Sequence, residues 1–192
     1  MVPGCYYGKA AKMNIRIISG EFGGRKIEAP DTGKTHPMSE RVRNALFNSI
    51  AHDIEGAKTL DVFAGSGSVG LEALSRGAHD ITFVERDRIA QQVLARNCTA
   101  LGVEERVKII RSSVDGWLAN RGEVTYDLIF ADPPYDDTQF STVSKLFGLL
   151  KPNGLMVLSH PGRGEIPTKT GVVVVDNRSY GNAYLTFYRR DA

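Results

Sequence analysis

Cysteine is scarce here: Cys5 and Cys98 are the only two in 192 residues, and they lie far apart. That excludes a disulfide framework and a cysteine metal site, and a reduced, cytoplasmic location is expected with no bound metal. Long apolar runs are missing as well. None approaches the roughly 20 residues needed to span a bilayer, so no membrane partner is expected. Segment 1–12 has no apolar stretch of the signal-peptide kind and is unlike the rest of the chain. It is read as an extension, or as a start placed too early, ahead of Met13. A large charge excess is absent too, since the net charge is only +2.

The charge is unevenly placed. Eight basic residues (Lys9, Lys12, Arg16, Arg25, Lys26, Lys34, Arg41 and Arg43) stand against four acidic ones (Glu21, Glu28, Asp31 and Glu40) in the first quarter. Arg178, Arg189 and Arg190 add to this near the end. A basic arm on a nearly neutral body suits a phosphate backbone, and a solvated surface suits the same pattern equally well. With 42% hydrophobic and 24% charged residues, the length fills one globular domain and is short for two.

Three segments are predicted: the extension 1–12, an N-terminal hairpin and helix over 13–52, and a main domain over 53–192. Ile15 to Ser19 and Lys26 to Ala29 read as two short strands around Gly20, Gly23 and Gly24. Ser39 opens a helix with Val42, Ala45, Leu46 and Ile50 on one face. Strand and helix then alternate. Strands are expected at 59–63, 80–85, 106–110, 126–131 and 155–159, with helices at 69–76, 87–101, 114–120 and 140–150 between them. In the third of these intervals the pattern is brief, and in the second the apolar side is Ile89, Val93, Leu94, Cys98 and Leu101. This rhythm implies an α/β, mostly parallel sheet covered on both faces. Val172 to Asp176 and Tyr184 to Tyr188 break it as two strands without a helix, an antiparallel closing hairpin. The outline expected is a Rossmann-like, seven-stranded sheet of the class I methyltransferase type.

Asp61-Val62-Phe63-Ala64-Gly65-Ser66-Gly67-Ser68-Val69-Gly70 joins the first main-domain strand to its helix. Gly65, Gly67 and Gly70 form a G-x-G-x-x-G, and Glu85, with Arg86 beside it, follows at the end of the next strand. Such loops admit a nucleotide close to the backbone, and the acid holds ribose hydroxyls. On this alone a nicotinamide-dependent oxidoreductase fits nearly as well as a methyltransferase. Asp61 shifts the balance: a carboxylate there suits an ammonium group, such as that of S-adenosyl-L-methionine, and would repel a pyrophosphate. A capping role for Asp61 and a plain strand-end role for Glu85 are the structural alternatives. Asp115 is placed to accept from an adenine amino group, or else to sit favourably in the first turn of a helix. The expected cofactor contacts are therefore Asp61, Phe63, Ala64, Gly65, Ser66, Gly67, Glu85, Arg86 and Asp115.

Asp132-Pro133-Pro134-Tyr135 follows an apolar strand directly. The prolines fix the backbone and remove two donors, leaving the Asp132 carboxylate and the Pro133 carbonyl as acceptors beside an aromatic ring. Two acceptors on the N–H bonds of an aromatic amine favour a pyramidal nitrogen, and Tyr135 can stack on the base. The base must be flipped out or unpaired to reach such a pocket. In isolation the motif is no more than a rigid turn. Together with Asp61, Gly65, Gly67 and Glu85, each at a strand end, it predicts catalysis.

From about Ile15 to Arg189 the chain resembles the RsmD family, bacterial methyltransferases acting on a guanine N2 of small-subunit ribosomal RNA. The residues that carry this are Arg16-Ile17-Ile18-Ser19-Gly20, Gly24-Arg25-Lys26, Arg41-Val42-Arg43 with Leu46-Phe47-Asn48, the glycine loop, Gly70 to Ala78, Asp132-Pro133-Pro134-Tyr135, and Gly181 before Tyr184 to Tyr188. The resemblance implies an S-adenosyl-L-methionine-dependent rRNA methyltransferase. It implies RNA contacts from Arg16, Arg25, Lys26, Arg41 and Arg43, and a monomer working on an assembled or late-assembling 30S particle. The alternative is an N6-adenine or other amino-methyltransferase acting on DNA or another substrate. His36-Pro37-Met38-Ser39 departs from the family's usual Arg-Pro-Thr, and His36 is read as a surface residue.

Overall fold

In the computed structural model, which describes residues 13–30 and 37–192, the alternating pattern builds the expected sheet. β1 (Asn14–Arg16) and β2 (Lys26–Glu28) pair antiparallel as a separate hairpin, and α1 (Glu40–Ser49) follows. The main sheet takes β3 (Lys58–Val62), β4 (Asp80–Glu85), β5 (Val107–Arg111), β6 (Tyr126–Ala131), β7 (Leu150–His160), β8 (Val172–Tyr180) and β9 (Ala183–Arg190) in the order β5-β4-β3-β6-β7-β9-β8. The first five run parallel, and β9 is antiparallel to both β7 and β8. Strand order reverses at β3, so a crevice opens at the carboxyl ends of β3 and β6, where ligands bind in such sheets. Residues 1–12 and His36 lie outside the described residues.

Four helices connect the parallel strands: α2 (Ser68–Ser75), α3 (Arg88–Leu101), α4 (Val114–Asn120) and α5 (Phe140–Leu146). The apolar residues on the two sheet faces separate into two cores. One packs Phe83, Leu128, Phe130 and Phe187 against α1, α2, α3 and the hairpin residues Ile15, Ile17, Phe22 and Ile27. The other packs Val62, Val84, Ile129 and Met156 against α4 and α5. The N-terminal element thus shares a core with the sheet it precedes.

Helix starts were readable from their caps. The Ser39 hydroxyl accepts from the Val42 amide and the Asp87 carboxylate from the Ala90 amide, at 3.3 and 2.8 Å, each satisfying a first-turn donor. Three expectations shift. α5 stops at Leu146 and gives way to a tight turn at Phe147–Leu149, with β7 already starting at Leu150. Buried apolar residues continue through that whole stretch, so periodicity alone could not place the boundary. β8 extends to Tyr180 rather than Asp176, because an edge strand tolerates Asn177, Arg178 and Ser179 facing water. On α3, Ile89 is 52% exposed, and Ala90 and Asn97 occupy the buried face instead.

Arg43 is the main correction. Expected on RNA, it is 1% exposed on the inner face of α1. Its guanidinium donates to the Arg16 carbonyl at 2.6 Å and the Met38 carbonyl at 3.1 Å, and stands 3.8 Å from Glu72. Such a buried cation needs an anion beside it. Glu72, fully buried on α2, supplies that charge and also accepts from the Ile18 amide (2.7 Å), the Ser19 amide (3.1 Å) and Arg76 (2.7 Å). One carboxylate therefore fastens the hairpin, α1 and α2 together.

Removing that carboxylate strands a buried guanidinium and two amides. Glu72→Ala should lower the unfolding free energy by about 3–5 kcal/mol, read from urea denaturation. A wild-type midpoint would mean that apolar packing alone holds the hairpin.

Candidate active site

The crevice is built from strand ends. β3 delivers Asp61 one residue before its end, β4 ends on Glu85, and β6 runs straight into Asp132. Asp61 is 2% exposed and accepts from the Gly70 amide at 3.0 Å. Burial pushes its pKa up to about 8 against the opposing pull of that amide, and repulsion from Asp132 and Glu85 adds to the rise. Glu85 is 8% exposed, and both its oxygens are held by backbone, from Gly65 at 2.8 Å and Asp87 at 2.7 Å. Burial likewise pushes Asp132 up to about 6, with a hydrogen bond from Ser159 resisting. Three desolvated carboxylates in one crevice make a site that a cation would relieve.

Around them the loop is tightly specified. Phe63 takes φ +63° as the chain leaves β3, an unusual conformation for a bulky residue. Strain of this kind collects at ligand clamps. Ala64 and Gly65 are half-buried, whereas Ser66 and Gly67 are buried. Gly70 cannot carry a side chain, since a Cβ there would lie 2.4 Å from the Phe83 ring. This glycine lets α2 settle onto the sheet, the packing role expected of the third glycine in such a loop. Asn97 of α3, 2% exposed, donates to the Ser66 carbonyl (3.0 Å) and the Glu28 carbonyl (2.9 Å) and accepts from the Glu28 amide (2.8 Å). It thereby ties the glycine loop to β2.

Across the crevice, Pro133 is buried and the Pro134 carbonyl closes a turn by accepting from the Asp137 amide at 3.0 Å. The Pro133 carbonyl has no such partner among the described residues. Tyr135 is 37% exposed, and its hydroxyl shares a 2.9 Å hydrogen bond with Ser159. Sequence reasoning missed Ser159. It is 3% exposed at the end of β7 and holds both the carboxylate and the ring of the Asp-Pro-Pro-Tyr turn. Its signal was available only as a polar residue closing an apolar strand.

The structure thus brings together Asp61, Phe63, Ala64, Gly65, Ser66, Gly67, Glu85, Asp132, Pro133, Pro134 and Tyr135, with Arg86 exposed beside Glu85. Asp115 has another role. It sits inside the first turn of α4 rather than at the strand end, and α5 engages both its oxygens, through Thr142 at 2.5 Å and Lys145 at 2.6 Å. Lys145 first and Thr142 second hold its carboxyl below the usual range. It joins two helices from the first-turn placement expected as its alternative role. Of the basic residues, Arg16 pairs with Glu40, and Arg25 donates to the Ala100 carbonyl. Lys26 and Arg41 are exposed and form no ion pair among the described residues. Arg178 and Arg189 are paired with Asp176 and Asp53, and Arg190 donates to the Leu150 carbonyl. No group of His, Cys, Asp and Glu among the described residues is arranged to hold a metal, and no described helix is long and apolar enough to cross a membrane.

Known proteins resemble this chain in sequence and fold. Residues 15–189 match the model of a family described as conserved hypothetical protein 95. Ribosomal RNA small subunit methyltransferase D of Escherichia coli (strain K12) is 39% identical over 140 residues, covering 73% of this chain and 68% of that protein. YlbH of Bacillus subtilis is 32% identical over 182 residues, covering 92% and 99%. Among solved structures, yhhF of Escherichia coli superposes with a TM-score of 0.84 at 33% identity, covering 94% of this chain and 99% of that one.

The raised Asp61 pKa has a measurable cost. Its folded-state value of about 8 exceeds the ordinary 3.8. The penalty is absent below the lower value, grows as pH rises between the two, and levels off above the higher. Asp61→Asn should leave the melting temperature of the ligand-free protein near wild type at pH 4 and raise it by roughly 5 °C or more at pH 8. A pH-independent difference would show that Asp61 is ionised throughout.

Proposed function

Because the chain belongs to the RsmD family, we propose that it methylates the exocyclic N2 amino group of a guanine in small-subunit ribosomal RNA, within an assembled or late-assembling 30S particle, using S-adenosyl-L-methionine. The observation that carries this reading is the meeting of the Asp61–Glu85 crevice with the Asp132-Pro133-Pro134-Tyr135 turn at one sheet edge. The residues fit the cofactor by charge. A buried, mutually repelling set of carboxylates is stabilised by a ligand bearing an ammonium and a sulfonium, and would repel a dinucleotide pyrophosphate. Asp61 and the Phe63-Ala64-Gly65-Ser66-Gly67 loop take the methionine end, and Glu85, with Arg86 beside it, takes the ribose hydroxyls.

When bound, S-adenosyl-L-methionine supplies an electrophilic methyl group on sulfur. The protein's part is to make a poor nucleophile attack it. Asp132 and the Pro133 carbonyl accept the two N–H bonds of the amine and so favour a pyramidal nitrogen whose lone pair faces the methyl. Tyr135, anchored by Ser159, stacks on the base and holds it in line. Once methylated, the nitrogen would be acidic, and Asp132 is the adjacent group able to take its proton. No histidine is needed. Lys26 and Arg41, without an ion pair among the described residues, supply positive charge on the N-terminal element for the RNA backbone, with Arg16 and Arg25 beside them.

Small ribosomal subunits lacking the modification, incubated with protein and labelled S-adenosyl-L-methionine, should yield N2-methylguanosine by mass spectrometry. Label in DNA adenine alone would replace this reading with the amino-methyltransferase alternative. Asp132→Ala should reduce kcat at least 100-fold while cofactor affinity stays within about twofold, an electrostatic loss of the usual size. Since the ionised carboxylate is the acceptor, wild-type kcat/KM should fall as pH drops through about 6.

A further inference from the structure

Beyond the target-base pocket, the same sheet edge carries a second set of rings. β9 runs antiparallel to β7, so Tyr184, at the start of β9, pairs in register with His160, at the end of β7. The Tyr184 ring lies 5.7 Å from the His160 ring at an interplanar angle of 31°, and Phe140 meets His160 edge-on at 6.2 Å. Tyr184 is 39% exposed, a large aromatic left open to water. It stands two strands away from β6, roughly 10 Å along the edge at ordinary strand spacing.

The support behind Tyr184 is unusually complete. His160 is 6% exposed, and its Nδ1 accepts from the Gly162 amide at 3.2 Å. The proton therefore sits on Nε2, which donates to the Thr186 hydroxyl at 3.0 Å, and that hydroxyl donates to the Asn177 side chain at 2.7 Å. Both ring nitrogens are committed and the imidazole is neutral, so His160 serves as a fixed wall rather than a proton carrier. Gly162 has φ +73°, and a Cβ there would fall 2.3 Å from the Tyr184 ring, so the loop passes flat against it. Arg163 follows at once, exposed and without an ion pair among the described residues.

From this we infer that Tyr184, backed by His160 and Phe140, is a second stacking platform, which binds a nucleotide adjacent to the target base while Arg163 meets its phosphate. The inference rests on the proposed RNA substrate. A flipped target base leaves its neighbour in the strand without one stacking partner, and an aromatic ring about one nucleotide away along the chain replaces it. A rigid, uncharged wall with an exposed cation beside it suits an unpaired RNA strand better than it suits the cofactor, whose carboxylate-lined crevice lies at β3 and β4.

The test is steady-state methyl transfer to unmodified small subunits by the full chain. Tyr184→Ala should raise KM about tenfold with kcat within twofold, Tyr184→Phe should behave as wild type, and Arg163→Ala should raise KM more at low salt than at high. Unchanged S-adenosyl-L-methionine affinity by calorimetry would certify that each variant is folded. A wild-type KM for Tyr184→Ala overturns the platform, as does a collapse in kcat at constant KM, which would assign the ring to the target base. A photoreactive phenylalanine analogue at position 184 should crosslink to RNA beside the modified guanine, and crosslinking to a ribosomal protein would overturn the inference. Absence of transfer by the wild-type protein is a separate result, the failure of the proposed function itself.

Discussion

Three acidic side chains at neighbouring strand ends set the character of this site, and Asp61 feels the charge of the other two. Asp61, Glu85 and Asp132 end neighbouring strands, and the parallel sheet leaves no room to separate them. Each is steadied by a donor from the segment that follows or faces it: the Gly70 amide for Asp61, the Gly65 and Asp87 amides for Glu85, and Ser159 for Asp132. The shape of the glycine loop is thus partly set by the anions it encloses. Hydrogen bonds from neutral groups offset desolvation only in part, so the charge that remains is a standing preference for a cationic ligand.

The same loop is joined mechanically to the N-terminal element. Asn97 bridges Ser66 to β2, and Glu72 bridges α2 to the Ile18–Ser19 backbone and to Arg43. Ser75 adds a third tie by accepting from the Phe22 amide at 2.9 Å. All of these bonds are buried or half-buried, where polar contacts are costly to break. Any ligand that shifts the hairpin must therefore shift the loop as well, and the coupling is reciprocal by thermodynamic necessity. A basic arm that serves only as an electrostatic tether would not need buried bonds to both the glycine loop and α2.

The readable parts of the sequence were those governed by local rules. Caps at Ser39 and Asp87, the strand–helix rhythm and the glycine spacing each report a short-range constraint, and the fold and the cofactor half of the site follow from them. What stayed hidden depends on partners distant in sequence. Arg43 reads as one more surface cation until Glu72, on another helix, is known to lie 3.8 Å away. Asp115 looks like a strand-end acid, but two residues of helix turn it towards Lys145, thirty positions later. Ser159 and His160 look like the end of an unremarkable strand until β9 folds back beside them. Burial by tertiary contact is the common cause, and periodicity carries no record of it.

The two halves of the crevice are built from different materials, and this bears on specificity. The cofactor half is made largely of backbone amides and buried carboxylates, which permit little variation without loss of the loop. The proposed substrate half is made of side chains on strand ends, with Ser159 and His160 buried beneath the exposed Tyr135 and Tyr184. Backbone chemistry can be shared by every enzyme that uses one cofactor, whereas the identity and context of a nucleobase must be read by side chains. The antiparallel return of β9 is what supplies that second half, since it carries Tyr184 back to the edge where the parallel strands end. A parallel strand in its place would have sent its first residues to the opposite edge of the sheet, leaving His160 without the Tyr184 ring beside it.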